Sequence, residues 1–370
     1  MSCALRATQT AGKRKAARWS IRDNVNGPRG VLSMHMDDQS NLISEAAALH
    51  TADYDQPAPT RKKPKKRLGT PILHFLSTQE FASPFDVNMA VDAGFKVVVP
   101  HTNARLEHTA GLVQDAIFSR PIEYGCRTGL FIGGKDALLA LDMLAAAQAA
   151  LVPPFRLSAF ADPGGSFTTA AAMVALVEDV YYARTDRTLQ DADVVVFGAT
   201  GVVGFASAII ASQCGANVTM ASHIGVGALE PFIAAARERF GVDLKPVAAA
   251  RDVDKMQLLS EADIVLCAAA AGIRVLSSDQ LLSARRLAVA ADVNAVPPSG
   301  IEGVELFDRG RVLDGTNIAA VGPLAIGDIK YKTQAALFRS MLSSRDTVML
   351  DFTDAFAMAR KLVRERSVSN

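Results

Sequence analysis

The sequence predicts an α/β protein of two lobes, one Rossmann-like and one smaller. Three observations predict it. From residue 69 onward, short apolar runs bounded by Gly and Pro alternate with helical stretches, the pattern of a mostly parallel sheet. A length of 370 residues with 49% hydrophobic content gives about two domains and enough apolar material for a real core. One strand, DVVVF at 193–197, runs straight into a glycine turn that opens a helix.

The first series predicts strands at 72–76 (ILHFL), 96–99 (KVVV), 130–132 (LFI) and 156–160 (RLSAF). Helices are predicted between them near 84–92, 106–118 and 135–150. A second series begins near residue 165. Residues 165–182 (GSFTTAAAMVALVEDVYY) read as a helix, followed by the strand 193–197, a helix over 202–213 and a strand over 217–221. Further strands are predicted at 263–267 (DIVLC) and 287–291 (LAVAA). The end of the chain reads as helices at 333–343 and 353–366 flanking a VMLDF strand at 348–352. The expected division is a smaller α/β domain over 69–165, a Rossmann-like domain over 166–329, and C-terminal helices within 330–370 that return to the first. No internal repeat of about 20–50 residues is evident.

Composition excludes several classes. The most apolar helical run, 137–152, is interrupted by Asp142 and Gln148 and is shorter than the ~20 residues of a membrane span, so no membrane partner is expected. Cys3, Cys126, Cys214 and Cys267 lie far apart with no CxxC or Cys/His cluster. Neither structural zinc, any other metal site nor a disulfide framework is expected, and the compartment read from this is the reducing cytoplasm.

The near-neutral total hides an asymmetry. Residues 1–68 carry a net +7 against +1 for the whole chain, which leaves −6 for residues 69–370. An acidic body is not expected to bind nucleic acid. The first segment lacks sustained apolar periodicity, and its basic runs KRKAAR (13–18) and RKKPKKR (61–67) read as a mostly disordered basic tail. Alternatives for it are a transit peptide, since no acid precedes Asp23, a nuclear or nucleic-acid patch at 61–67, or a start placed too early, with Met34 and Met36 as internal candidates.

The strongest local signal is DVVVFGATGVVG at 193–204. A tight turn and the close approach of a pyrophosphate both demand residues without a β-carbon, and the helix start then offers N–H groups and positive dipole to the anion. The spacing is GxxGxxG rather than GxGxxG, yet the strand–turn–helix–strand context points to a dinucleotide. Gly198, Thr200, Gly201, Val203 and Gly204 are the candidate cofactor contacts. The next strand should select the cofactor. It ends Ala221-Ser222-His223, with no carboxylate for the adenosine ribose 2′-OH of NAD. Ser222 can donate to a 2′-phosphate and His223 can do so or stack on adenine, which tilts the reading toward NADP, with NAD also usable.

Four polar clusters fall at predicted strand ends or loops, where open α/β sheets bind ligands: 83–88, 161–169, 292–300 and 322–332. For any single residue among them, a helix cap or a turn is the plainer reading.

Taken together, the clusters carry a resemblance. The blocks SPFDVNMAVDAGFKVVVP (83–100), GLVQDAIFSR (111–120), TGLFIGGKD (128–136), VPPFRLSAFADPGGSFTTAAA (152–172), VVVFGATGVVG (194–204), AADVNAVPPSGI (290–301) and AIGDIKYK (325–332) stand in one order. In these blocks the chain resembles the NAD(P)-dependent methylene-tetrahydromethanopterin dehydrogenases of methylotrophic bacteria, over roughly 70–366. The 1–68 segment has no counterpart in that pattern.

The resemblance implies a pterin-binding smaller domain and oxidation of the methylene bridge of methylene-tetrahydromethanopterin to the methenyl form, a step of formaldehyde oxidation. It also implies a tetrahydromethanopterin-type carrier as partner and a homo-oligomer, a trimer or a multiple of one. Lys330 is the candidate catalytic residue, matching a lysine of the family, in a positioning or anionic-tail role. Asp86 is the candidate anchor for the pterin amino group, since a carboxylate accepts two parallel N–H bonds. Asn88, Asp162, Ser166, Thr168, Asp292 and Asn294 are further candidates for lining the substrate cleft. Three alternatives stay open: a methylene-tetrahydrofolate dehydrogenase, a non-catalytic NADP-binding regulatory protein, and a relative of shikimate dehydrogenase.

Overall fold

The computed structural model describes residues 69–344 and 346–369. The basic segment expected at 1–68 lies outside the described residues. Two sheets organise the rest, and every strand pair but one is parallel.

The first series runs β1 (Ile72–Ser77), α1 (Pro84–Ala93), β2 (Val97–His101), α2 (Leu106–Phe118), β3 (Thr128–Gly133), α3 (Ala137–Ala149) and β4 (Ser158–Ala161). Local chemistry sets the helix starts. Ser83 caps α1 by accepting from the Asp86 amide, Pro84 presets its first turn, and Asp136 caps α3 by accepting from Leu139 N–H at 3.0 Å. All six residues of β3 are buried, as fits a central parallel strand covered on both faces.

The chain then enters α4 (Ser166–Thr185). Almost every side chain from Phe167 to Val177 is buried, so α4 is apolar all round rather than along one stripe. It packs against the next helix in sequence, against the two helices that end the chain and against the second sheet.

The second series is β5 (Asp193–Phe197), α5 (Val202–Gln213), β6 (Asn217–Ser222), α6 (Glu230–Phe240), β7 (Lys245–Ala248), α7 (Asp252–Glu261), β8 (Ile264–Cys267), α8 (Ser278–Ser283), β9 (Val289–Asp292), β10 (Arg309–Val312) and β11 (Ala319–Val321). The chain closes with α9 (Pro323–Ser343), β12 (Met349–Leu350) and α10 (Phe352–Ser369). The strand orders are β12-β4-β3-β1-β2 and β10-β11-β9-β8-β5-β6-β7, with β10 and β11 the antiparallel pair. This is the two-sheet α/β architecture the sequence predicts, with a Rossmann-like parallel sheet in the second series.

Both orders contain a switch point, where successive connections leave in opposite directions: between β1 and β3 in one sheet, between β5 and β8 in the other. Ligands of open α/β sheets bind outside the strands' carboxyl ends at such points.

The structure corrects the reading of the chain's end. The 322–332 cluster is not a loop. Gly322 takes the N-cap position, Pro323 presets the first turn, and α9 runs unbroken from 323 to 343, ten residues earlier than the helix expected at 333. Lys330 therefore sits on a helix, and the boundary expected at 329/330 falls inside it. The sequence does not predict α8, β10 or β11, which are short, nor α6, β7 and α7, whose surface-facing, charge-rich segments lack a long apolar run.

Phe338 fixes α9 on the first sheet. Its buried ring meets Phe131 of β3 and Phe160 of β4 at centroid distances of 5.1 and 5.3 Å. β12 adds to the edge of the same sheet beside β4, and Arg360 of α10 donates to Glu178 of α4 at 2.7 Å. No helix of the described residues is long and apolar enough to cross a membrane.

Candidate active site

The glycine turn stands at the switch point of the second sheet. Gly198 follows β5 with φ +73°, and a β-carbon there would lie 2.3 Å from the carbonyl oxygen of Ala268, just beyond β8. Only glycine fits both the backbone conformation and that approach. At Gly204 a β-carbon would meet the Gly198 carbonyl at 2.4 Å, so this glycine lets α5 pack close to the turn. Gly201 differs: it has ordinary φ, is exposed, and an added β-carbon would find nothing nearer than 3.3 Å. It is the N-cap of α5, whose first amides have no partner within the helix. Thr200 is exposed beside it and Val203 is half-buried in the first turn. The cradle fits a dinucleotide pyrophosphate: space where side chains would be, and a helix start aimed at it.

β6 ends at buried Ser222, whose Oγ accepts from the Ile224 amide at 3.3 Å, and His223 beyond it is exposed. No carboxylate stands at this strand end.

A cavity of about 540 Å³ lies at the switch point of the first sheet. The loop after β1 supplies Gln79, Phe81 and Ser83, the first turn of α1 supplies Asp86, and the end of β3 supplies Lys135. Gly164, after β4, completes it. Phe81 and Phe85 expose much of their rings beside it.

A hydrogen-bonded chain leads inward from Asp86 on its wall. Lys330 Nζ donates to Gln334 Oε1 at 2.7 Å, and Gln334 Nε2 donates to Asp86 Oδ1 at 2.8 Å. The ammonium also stands 3.8 Å from the centre of the Phe85 ring. A β-carbon at Gly165 would come within 2.8 Å of Nζ, so that glycine leaves the room the ammonium occupies. Burial raises the Asp86 pKa above the usual carboxylate range and lowers that of Lys330, each partly opposed by the other's charge.

Asp162 is fully buried at the end of β4. Its Oδ1 accepts from the amides of Phe167 and Thr168, and its Oδ2 accepts from Thr168 Oγ1 at 2.7 Å. These are the bonds of a cap on α4. Burial pushes its pKa up to about 6, against the opposing charge of Lys330. Asp162 and Thr168 thus reach the site through Lys330 and α4, both side chains being enclosed. Ser166 is half-buried at the start of α4, and Asn88 is exposed on α1.

Asp292 and Asn294 belong to the second sheet, at the end of β9. Asp292 accepts from the amides of Asn294, Gly300 and Ile301 at 3.0, 2.7 and 3.1 Å. Asn294 accepts from Gly272 and Val296 and donates to the Pro298 carbonyl, bordering a groove of about 710 Å³ with Phe307 and Pro323. Their side chains hold the 293–301 loop in shape. Burial, then the Asp292 charge, pushes the adjacent Cys267 thiol up to about 12, so it stays protonated and inert. Among the described residues no group of three or more His, Cys, Asp or Glu could hold a metal ion.

The sequence reading missed Gln334 and Phe85. A signal for Gln334 was there: Ile326, Lys330, Gln334 and Phe338 recur every four residues, so one stripe of α9 carries two polar groups between apolar ones.

The chain as a whole has a strong likeness to known proteins. The chain is 43% identical over 288 residues, 78% of its length, to the NAD(P)-dependent methylenetetrahydromethanopterin dehydrogenase of Methylorubrum extorquens, covering 97% of that protein. The chain belongs to this family. Residues 84–164, from α1 to the turn before α4, match the family model described as methylene-tetrahydromethanopterin dehydrogenase, N-terminal. A second protein of the same organism, named bifunctional protein MdtA, is 29% identical over 294 residues, 79% of this chain and 98% of that protein. Among solved structures, shikimate 5-dehydrogenase from Listeria monocytogenes overlaps 81% of this chain and 99% of its own, at 12% identity and a TM-score of 0.48. In this methylenetetrahydromethanopterin dehydrogenase family member, the Asp86–Gln334–Lys330 chain joins the part matched by the family model to the helix that ends the second sheet.

Proposed function

We propose that the chain transfers a hydride from the methylene bridge of methylene-tetrahydromethanopterin to NADP or NAD, leaving the methenyl form, in one-carbon and formaldehyde metabolism. The likeness to the Methylorubrum extorquens dehydrogenase over 97% of its length carries this reading. The two switch-point sites are the places where such a reaction would be built.

The chemistry suits the residues. Hydride leaves a carbon held between two nitrogens, and the resulting cation is shared across N–C–N. The substrate stabilises its own charge, so no protein nucleophile is required. The bound nicotinamide supplies the hydride acceptor. The protein's part is orientation, bringing donor and acceptor carbons to about 3–3.5 Å.

Within that frame the turn from Gly198 to Gly204 holds the pyrophosphate, with Thr200, Gly201 and Val203 at the helix start. Ser222 and His223 meet the adenosine ribose, and the missing carboxylate favours NADP. The first sheet with α9 and α10 takes the carrier, and the second sheet takes the dinucleotide. Asp86 anchors the pterin amino group. Lys330 positions the carrier: a cation beside a forming cation would slow the reaction, and here the ammonium is held on Gln334 and the Phe85 ring. We propose further a cytoplasmic homo-oligomer, the compartment being read from the scattered cysteines and the assembly from the resemblance of the sequence blocks.

The test is direct. Purified protein with methylene-tetrahydromethanopterin and NAD or NADP should generate reduced nicotinamide, followed by absorbance, with the tetrahydrofolate analogue run in parallel. No reduction with either carrier would overturn the reading, and turnover with the folate carrier alone would reassign it.

A further inference from the structure

Among the described residues, Gln334 is a carboxamide with no exposed surface in the stripe that packs α9 onto the first sheet. Four residues on, Phe338 lies in the aromatic core; four residues back, half-buried Lys330 meets the ring of Phe85. A buried amide costs free energy unless its groups are bonded, and here the carbonyl and the NH2 each have a charged partner, Lys330 one turn back on α9 and Asp86 on α1.

The partners dictate the orientation of the amide. An ammonium only donates, so Oε1 must face Lys330. An ionised carboxylate only accepts, so Nε2 must face Asp86. The carboxamide therefore stands between two opposite charges that would otherwise collapse into a direct ion pair. With Gln334 in place, Asp86 uses Oδ1 inward and keeps Oδ2 out of this bond, and Lys330 uses one of its three N–H groups inward. The charged groups facing this pair are Asp86 on α1, Asp162 after β4 and Lys330 itself, with Glu80 and Lys135 bordering the same cavity.

We propose that Gln334 is a positioning residue for the carrier: its carboxamide spaces Asp86 from Lys330 and aims both at the substrate. This deepens the proposed function and rests on it. Gln334 itself is enclosed and acts through its two neighbours.

Gln334→Met keeps the length of the side chain and removes both hydrogen bonds. Gln334→Glu keeps the acceptor for Lys330 and sets a carboxylate against Asp86. Steady-state kinetics across about pH 5.5–9 should show the carrier KM of Gln334→Met raised about tenfold or more, with the NADP KM within about twofold of wild type. In Gln334→Glu the two carboxyl groups must share a proton, so the carrier KM should fall toward the wild-type value as pH is lowered, a limb absent from the other two proteins. A second readout needs no carrier: lysine carrying 13C at Cε, with the Lys330 signal assigned by its loss in Lys330→Arg, should titrate at higher pH in Gln334→Glu than in wild type. Wild-type carrier KM and pH profile in both variants would overturn the inference. Loss of carrier and NADP binding together, with a fall in Tm and an unshifted Lys330 titration, would reduce Gln334 to packing and overturn it too. Inactive wild-type protein would instead refute the proposed function, while the lysine titration would still decide the Asp86–Gln334–Lys330 linkage.

Discussion

Lys330 of α9 rests its ammonium on the face of Phe85 in the first turn of α1, 3.8 Å from the ring centre. A cation over an aromatic face is held without being neutralised, so Lys330 keeps its charge and its direction. Replacing Phe85 by Leu keeps an apolar wall and removes that hold. The carrier KM should rise about two- to fivefold, as expected for losing roughly 0.5–1 kcal/mol. Lys330→Ala should cost the carrier more and NADP nothing. Equal loss for carrier and NADP would point to a local collapse instead.

The glycine turn gives an ordered set of outcomes. Gly198→Ala and Gly204→Ala put a β-carbon within 2.3 and 2.4 Å of carbonyl oxygens, and each should lose several kcal/mol of stability together with dinucleotide binding. Gly201→Ala meets nothing closer than 3.3 Å at an unstrained φ. It should fold with a Tm within a few degrees of wild type and bind NADP about tenfold more weakly, because the methyl group intrudes only on the ligand. Calorimetry and thermal melts on the three variants check this order.

Cofactor choice should turn on the end of β6. Ser222→Asp supplies the carboxylate that the strand lacks, able to accept from a ribose hydroxyl and to repel a 2′-phosphate. The ratio of kcat/KM for NADP to that for NAD should drop about tenfold or more. An unchanged ratio would remove Ser222 from cofactor selection.

Asp162 makes stability depend on pH. Burial raises its carboxyl from 3.8 to about 6 in the folded protein. Between those values the native state holds a proton that the unfolded chain has released, so this group's contribution to stability falls as pH rises through that window and is level above it. A shift of about two units corresponds to at most about 3 kcal/mol. Asp86 and Asp292, also raised by burial, act with the same sign. Urea midpoints of Asp162→Asn should therefore fall less steeply than wild type between about pH 4 and 6. Parallel slopes would show that Asp162 does not carry this dependence.

Much of the architecture was readable in the one-dimensional pattern. Short β-branched and aromatic runs bounded by turn residues, such as Val194–Phe197, fit buried parallel strands, and the glycines that follow it have a local cause that needs no tertiary knowledge. Among the segments that went unread, α6 to α7 are surface pieces whose order is imposed by the sheet they cover, while α8, β10 and β11 are three to six residues long, too short to show a period. Of the candidate site, the sequence by itself determined the phosphate turn, the absence of a carboxylate after β6, and the presence of Asp86 and Lys330. It showed Gln334 only as one position of the Ile326–Lys330–Gln334–Phe338 stripe, because a glutamine mid-helix looks like any solvated one until its burial is known. Residues 86, 162, 330 and 334 meet only when Phe338 seats α9 on the first sheet. Local propensity acts over a few residues along the chain. The bond between Asp86 and Gln334 spans 248 positions, and hydrophobic packing brings such partners together.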